Sequence, residues 1–436
     1  MVIDLEVKKI VFGGYGLGDY NGIKVFVPYT CPEELIKTEI VEKKKGYWFG
    51  KLKEVIKPSP IRVKPICPQF TICGGCDFQH LQYPGQLVIK KLLLGECLQR
   101  LGKIFMPVKN PYPAKEWGYR SKVQMMLGNG KKLKIGYYEK KSHRVIDVQR
   151  CPLQPEVFDL IKSVFQQNVL SSQEKIYSEI KKEGNLRYLV LKRGERTNEI
   201  LLTVVSREPI LDKKIFSGFG EEMGIVGILN NINPLPRNRI LTDDFRLIAG
   251  RDYYYEKILD KRFQISAGSF FQVNTQETER LIKKVLKFLE PKEDDIVLDL
   301  FSGVGTFSIV IAGFVGKAIG VEISSSAVKD AQKNKEINGI ENVDFILGDC
   351  QLVIDSLKRF DKVILDPPRK GVSLPLIEKI TSLRPKIIVY VSCNPATLAR
   401  DLKFFSEFNY EVAEVEMVDM FPQTYHIESV AKLVPK

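Results

Sequence analysis

Residues 294–306 read DDIVLDLFSGVGT, an apolar run of strand length that ends at Asp299 and turns through Gly303 and Gly305 into a helix-forming stretch from Thr306. A strand leading through a Gly-rich turn into a helix places the backbone at the carboxyl end of a parallel sheet, where nucleotide-like cofactors bind. The spacing is D-x-x-x-G-x-G rather than the G-x-G-x-x-G of dinucleotide sites, which favours S-adenosylmethionine over NAD.

The same pattern continues downstream. GKAIGVEI, VDFILGD, KVILDPP and KIIVYVS are further apolar runs separated by helical stretches, so residues 276–436 read as an α/β unit with a parallel sheet covered on both faces. YEVAEVEMVDMF and SVAKLVPK have no helix between them and predict an antiparallel hairpin on that sheet. Glu322 and Asp349 end the second and third runs, and with Asp299 they put acids at three successive strand ends. There Glu322 can accept from ribose hydroxyls and Asp349 can meet an adenine amino group, although each alone could be a solvated strand end or a helix cap.

Two further motifs reach the same rim. Asp366-Pro367-Pro368-Arg369 follows the fourth run and Ser392-Cys393-Asn394-Pro395 the fifth. Amino-group methyltransferases carry an aromatic residue after a similar D/N-P-P; Arg369 in that place argues against an exocyclic nitrogen as target. Carbon 5 of uracil is a poor nucleophile until a thiolate adds at carbon 6, and Cys393 is placed to supply that thiolate. The carbon-5 proton must then be removed by a positioned base. Glu428, in the segment FPQTYHIE (421–428), is the first candidate and His426 the second.

Upstream, the chain divides. Residues 1–60 alternate as in a small all-β barrel, KPSPIRVKP closes it as a linker, and 61–275 mixes short strands with helices as an α+β domain. Eight cysteines with no secretion signal point to ligand or catalytic roles. Cys67, Cys73 and Cys76 form C-x5-C-x2-C, to which Cys151 can add a fourth thiolate; four sulfurs suit zinc or an iron–sulfur cluster. Proline beside ligand cysteines and the Gly74-Gly75 pair lean towards iron and sulfur. Cys31, Cys97 and Cys350 are left as structural thiols.

The net charge of +13 makes nucleic acid the leading partner class. Candidate contacts are Lys43, Lys44, Lys45, Tyr47, Trp48 and Phe49, followed by Arg120, Lys122, Lys131, Lys132, Lys134, Lys140, Lys141 and Arg144. No apolar run is long enough to span a membrane, and the N-terminus lacks an export signal. A cytoplasmic protein without an obligate protein partner is the expectation.

DLFSGVGTFS, GVEIS, LDPPRKG, VSCNPATLARD and FPQTYHIE, together with FFQVN near Gln272, resemble the RNA uridine-C5 methyltransferase family of the RumA/TrmA type over nearly the whole chain. The resemblance implies a multidomain protein: an OB-like TRAM barrel, a central α+β domain with a [4Fe-4S] cluster on Cys67, Cys73, Cys76 and Cys151, and a C-terminal Rossmann-like class I methyltransferase domain. It implies Cys393 as nucleophile, Glu428 as base, Asp366 at cofactor or pyrimidine, and Gln272, Phe301, Thr306, Glu322 and Asp349 at S-adenosylmethionine. Relatives often carry Asn at the position of Thr306, and Pro28-Tyr29-Thr30-Cys31-Pro32 departs from their Gly-containing turn. The implied substrate is 23S ribosomal RNA, with transfer RNA as the alternative, its target base flipped out of any stem. An RNA-binding or folding factor with a dispensable methyltransferase domain is the reading of a different class.

Overall fold

Alternating apolar residues curl the first strands into a closed barrel. In the computed structural model, which describes residues 1–436 except 130, 131, 141, 180, 236–238 and 358, these are β1 (Val2–Val11), β2 (Tyr15–Tyr20), β3 (Ile23–Pro28), β4 (Glu34–Lys44) and β5 (Tyr47–Lys57). They run in the order β1-β2-β3-β5-β4 around Ile3, Leu5, Val7, Val25, Val27 and Ile36. Gly16 is required on β2, because a Cβ there would lie 1.9 Å from the Thr30 hydroxyl. Trp48 packs on the barrel core with the Lys43 ammonium 4.6 Å from its ring, and Phe49 stacks on Phe26, so of the three aromatics Tyr47 is the exposed one.

Beyond the linker, α1 (Tyr83–Cys97) continues through one π turn, Leu98–Gly102. A central sheet follows, of β6 (Lys122–Gly128), β7 (Lys134–Tyr138), β8 (Val145–Asp147), β9 (Leu186–Arg193), β10 (Ile200–Ser206), β11 (Ile225–Ile232) and β12 (Phe245–Gly250), in the order β12-β11-β10-β9-β6-β7-β8. Helix α2 (Glu156–Ser171) covers one face of it through Phe158, Ile161, Phe165 and Val169. Lys131 and Lys141 lie outside the described residues.

The hairpin β13 (Tyr253–Ile258) and β14 (Lys261–Ser266) leads to α3 (Thr275–Leu289), capped by the Asn274 side chain. The second large sheet then alternates with helices: β15 (Ile296–Leu300), α4 (Thr306–Ile311), β16 (Lys317–Glu322), α5 (Ser325–Ile337), β17 (Val343–Leu347), α6 (Cys350–Val353), β18 (Lys362–Leu365), α7 (Leu374–Ser382), β19 (Ile387–Ser392), α8 (Pro395–Glu407), β20 (Tyr410–Val418) and β21 (Glu428–Pro435). Its order is β17-β16-β15-β18-β19-β21-β20, with the first five strands parallel and β21 inserted antiparallel between β19 and β20.

Both faces of this sheet are covered, as its continuous apolar strands require. Leu298, Leu300, Val363 and Ile388 pack with Leu94 of α1 and Leu398 and Leu402 of α8. Val297, Val389 and Val391 pack on the other side with α3, and Tyr254, Ile258, Phe263 and Ile265 of the hairpin extend that cluster over α3, α4 and α5. The hairpin and α1, both upstream of residue 275, therefore share cores with the downstream sheet. Among the described residues no helix is long and apolar enough to cross a membrane.

Candidate active site

Strand pairing brings the rim together. β18 and β19 pair in parallel with Leu365 beside Tyr390, so Asp366 and Cys393 both leave the sheet at one edge. β21 runs against β19 with Ser429 opposite Ser392, and the Ser429 hydroxyl donates to the Ser392 carbonyl at 3.1 Å. Cys393 is the residue after Ser392 and Glu428 the residue before Ser429, so the two flank the last rung of the β19–β21 ladder, and the Glu428 charge acts on the thiol. Pro395 opens α8 and the Asn394 side chain caps it, accepting from the Ala396 N–H at 3.1 Å. The Asn394 side-chain amide also donates to the Arg369 carbonyl at 3.2 Å, which ties the two motifs to each other.

The electrostatics follow from burial. The half-buried Cys393 thiol is pushed up to about 11, by desolvation first and then by the charges of Glu428 and Asp366, while Arg369 opposes the shift from hydrogen-bonding reach. Glu428 is 2% exposed, and burial, with Asp366 beside it, holds its carboxyl well above the ordinary range. Asp366 is pushed up to about 7 by burial and by Asp299. Arg369 Nη2 stands 3.5 Å from His426 Nδ1, and burial, Arg369, Lys90 and Arg120 bring the imidazole down to about 4, so it is neutral at pH 7. In the sequence Arg369 stands out only as the residue in place of an aromatic one. Its charge beside two prolines was visible there, but its reach to both Cys393 and His426 was not.

At the neighbouring strand ends the Gly-rich turn is open. Phe301 has φ +67°, and the N–H groups of Phe301 and Ser302 donate to the Val321 carbonyl at 3.0 and 3.1 Å. Gly303, at φ +56°, has nothing within 4 Å of where a Cβ would stand. Glu322 accepts from the Gly303 N–H at 3.0 Å and the Ser324 N–H at 2.8 Å, which still leaves lone pairs on each oxygen. Asp349 is exposed and caps α6 through the Gln351 N–H at 2.8 Å, so the cap reading of this acid is realised. Thr306 is the first residue of α4.

Asp299 turns inward instead. Its Oδ2 accepts from the Ser308 N–H at 3.1 Å and hydroxyl at 2.5 Å, and burial pushes the carboxyl up to about 7. Asp299 Oδ1 and the Ser302 hydroxyl oxygen are buried without partners, so polar capacity is left unsatisfied beside the open turn.

The four expected ligand cysteines converge elsewhere. Cys67, Cys73, Cys76 and Cys151 line one cavity of about 420 Å³, together with Arg120, Lys122, Gln272 and Phe421. The Gly75 N–H donates to Cys73 Sγ at 3.4 Å, and the Gln79 side chain and the Leu153 N–H serve Cys76 and Cys151. Among the described residues no three His, Cys, Asp or Glu side chains are grouped to hold a single metal ion. Gln272 is thus on the cysteine wall. Cys31 and Cys350 are buried, and Cys97 is half-buried in α1. Of the cations expected to follow phosphates, Lys140 pairs with Asp77 at 2.8 Å and Arg144 with Glu139 at 2.6 Å, while Arg120 and Lys122 face the cysteine cavity.

The sheet order and the motifs at its carboxyl edge define a Rossmann-type methyltransferase. The chain belongs to the RNA uracil-5-methyltransferase family. A family profile described as tRNA (Uracil-5-)-methyltransferase matches residues 242–435. A DNA methylase profile matches 112–333, a stretch that stops short of Asp366 and Arg369. An uncharacterized RNA methyltransferase of Halalkalibacterium halodurans is 38% identical, covering 99% of this chain and 96% of its own length. One of Synechocystis sp. is 37% identical over 98% and 94%. The crystal structure of Pyrococcus abyssi tRNA (uracil-54, C5)-methyltransferase in complex with S-adenosyl-L-homocysteine superposes with a TM-score of 0.83 at 30% identity, covering 99% of both chains.

Proposed function

We propose that this protein methylates carbon 5 of a uridine in RNA, with Cys393 as nucleophile and Glu428 as base. The observation that carries the reading is that Cys393 and Glu428 flank the last rung of the β19–β21 ladder and act on each other, with Arg369 within reach of the thiol. S-adenosylmethionine, when bound, supplies an electrophilic methyl group. Phe301, Thr306, Glu322, Asp349 and Asp366 are assigned to hold it, since the open glycine turn and the unpartnered Asp299 and Ser302 atoms fit a ligand rich in donors and carrying positive charge. Gln272 joins them by resemblance alone, its place being the cysteine wall.

Arg369 favours the thiolate of Cys393, whose sulfur bonds to uracil carbon 6 and shifts the ring π electrons onto carbon 5. Carbon 5 takes the methyl group as the bond from that group to the cofactor sulfur breaks, its electron pair staying on the departing thioether, and the ionised form of Glu428 then removes the carbon-5 proton. The freed electron pair restores the ring double bond as the bond from sulfur to carbon breaks and the Cys393 thiolate is released. His426, its Nδ1 turned to Arg369 and its basicity lowered, is the weaker base and stays the second candidate.

Cys67, Cys73, Cys76 and Cys151 are assigned to a [4Fe-4S] cluster. Four thiols spaced around a cavity with N–H groups aimed at sulfur suit a cluster that takes one thiolate at each corner better than a single zinc. Ribosomal RNA is the first substrate assignment, on the resemblance to barrel-and-cluster enzymes. The whole-length likeness to the Pyrococcus abyssi transfer-RNA enzyme supports transfer RNA as the second reading and removes the barrel as a discriminator. Mapping 5-methyluridine in both RNAs from a deletion strain separates the two.

Cys393→Ala is expected to abolish 5-methyluridine formation, and Glu428→Gln to accumulate a covalent enzyme–RNA adduct that survives denaturing electrophoresis. Methylation persisting in the first variant overturns the nucleophile; absence of adduct in the second overturns the base.

A further inference from the structure

Gln423 lies in the loop that leads to Glu428, 1% exposed and in the left-handed region at φ +69°. A non-glycine residue stays there only when its surroundings hold it. Each of its polar groups is held from outside the loop. Its N–H donates to Gln86 Oε1 at 3.0 Å, and its Oε1 accepts from Gln86 Nε2 at 2.9 Å. Its carbonyl accepts from the N–H groups of Asp77 at 3.0 Å and Phe78 at 2.9 Å, and its Nε2 donates to Glu116 at 3.2 Å.

Gln86 is fully buried on α1, and the same Nε2 reaches the carbonyls of Phe78 at 3.2 Å and Leu81 at 3.0 Å. Tyr83 and Lys90, one turn before and one turn after on that helix face, bind Asp419 just upstream in the loop. Asp77 and Phe78 directly follow Cys76.

We propose that Gln86, with the two amides after Cys76, is a positioning clamp that sets Glu428 for proton removal, so that the cysteine segment and the base-bearing loop move as one body. The proposal rests on Glu428 being the base. Gln86 touches no reacting atom, and the clamp acts only through Gln423.

The test uses the full-length holoenzyme and RNA tritiated at uridine carbon 5. Methyl transfer, tritium release and covalent adduct are followed in a single turnover. In Gln86→Leu, methyl transfer is expected to change little while tritium release slows by about tenfold or more, within the range a general base contributes. Methylated adduct therefore accumulates relative to product. This ratio does not depend on the fraction of folded enzyme. Gln86→Glu keeps an acceptor for the Gln423 N–H and is expected to give a smaller rise, and it decides the matter if the leucine variant does not fold. An adduct-to-product ratio equal to wild type in the folded variants overturns the clamp. Glu428→Gln run in parallel keeps the two questions apart: without adduct there, the base assignment itself fails.

Discussion

Lys90 and Asp419 form an ion pair with no exposure on either side chain, Nζ to Oδ1 2.5 Å. The pair joins α1 to the loop that carries His426 and leads to Glu428, and Tyr83 and the Phe421 carbonyl complete its hydrogen bonds. Lys90→Met leaves the Asp419 carboxylate buried and unpaired, and is expected to cost about 3–5 kcal/mol. Lys90→Met combined with Asp419→Asn should recover part of that loss, because the second change removes the stranded charge. Denaturant melts of the two variants test this; a double variant no more stable than Lys90→Met would contradict it.

Asp299 gives a pH signature. Its carboxyl is pushed up to about 7 from an ordinary 3.8, so between those values the folded state binds more protons than the unfolded chain. Stability from this group is therefore present at low pH and falls as pH rises towards 7, by up to a few kcal/mol. Asp299→Asn should remove that component. The difference between wild type and variant in unfolding free energy ought to shift in favour of the variant from pH 4.5 to about pH 7.5. A pH-independent difference would show that Asp299 is not the titrating group.

Cys393 should react faster as pH rises towards about 11, where its thiol titrates. Arg369 lowers that value, so Arg369→Met is expected to move the rise to higher pH and to slow alkylation at any fixed pH below it, about tenfold for each unit. Alkylation of the Cys393 peptide, followed by mass spectrometry, provides the profile. An unshifted profile would remove Arg369 from the thiol's environment.

Anaerobically purified protein is expected to be brown with stoichiometric iron and sulfide, and Cys151→Ser to lose both. Colourless protein containing zinc would overturn the cluster assignment.

On the barrel, Tyr47 and Trp48 should separate. Tyr47→Ala removes an exposed ring and is expected to weaken RNA binding by about 1–3 kcal/mol with little change in melting temperature. Trp48→Ala strips the barrel core and should lower the melting temperature. RNA affinity unchanged in Tyr47→Ala at fixed salt would exclude that face as a stacking platform.

The parallel sheet was legible from the sequence because its strands are buried on both faces and interrupted by glycine, proline and acid residues at one edge. The rim around Cys393 was legible for the same reason, since strand order alone brings Asp366, Cys393 and Glu428 to one edge. Asp299 shows where that reasoning stops: an acid at a strand end can turn inward to Ser308 as readily as outward to a ligand, and alternation does not distinguish them. Arg369, Gln86 and Gln423 were silent because their partners are 57, 337 and 346 residues away in the case of His426, Gln423 and Asp77. The lysines near residue 140 illustrate a further limit, in that composition counts cations without showing that Asp77 and Glu139 already neutralise two of them.

The hairpin Tyr253–Ser266 bears on how such a chain could be taken apart. Tyr254, Ile258, Phe263 and Ile265 join the apolar cluster on one side of the downstream sheet by packing over α3, α4 and α5, and the Ser266 and Ser269 hydroxyls are anchored on Asp330 of α5 at 2.6 Å each. A fragment begun at residue 276 would bare the apolar surface of these helices that the hairpin covers and is expected to aggregate. One begun ahead of the hairpin keeps its cover. In the currency of recombination, the smallest transplantable catalytic cassette starts upstream of Tyr253, and a graft spliced at the apparent change of sequence pattern would carry the chemistry without the lid of its own core.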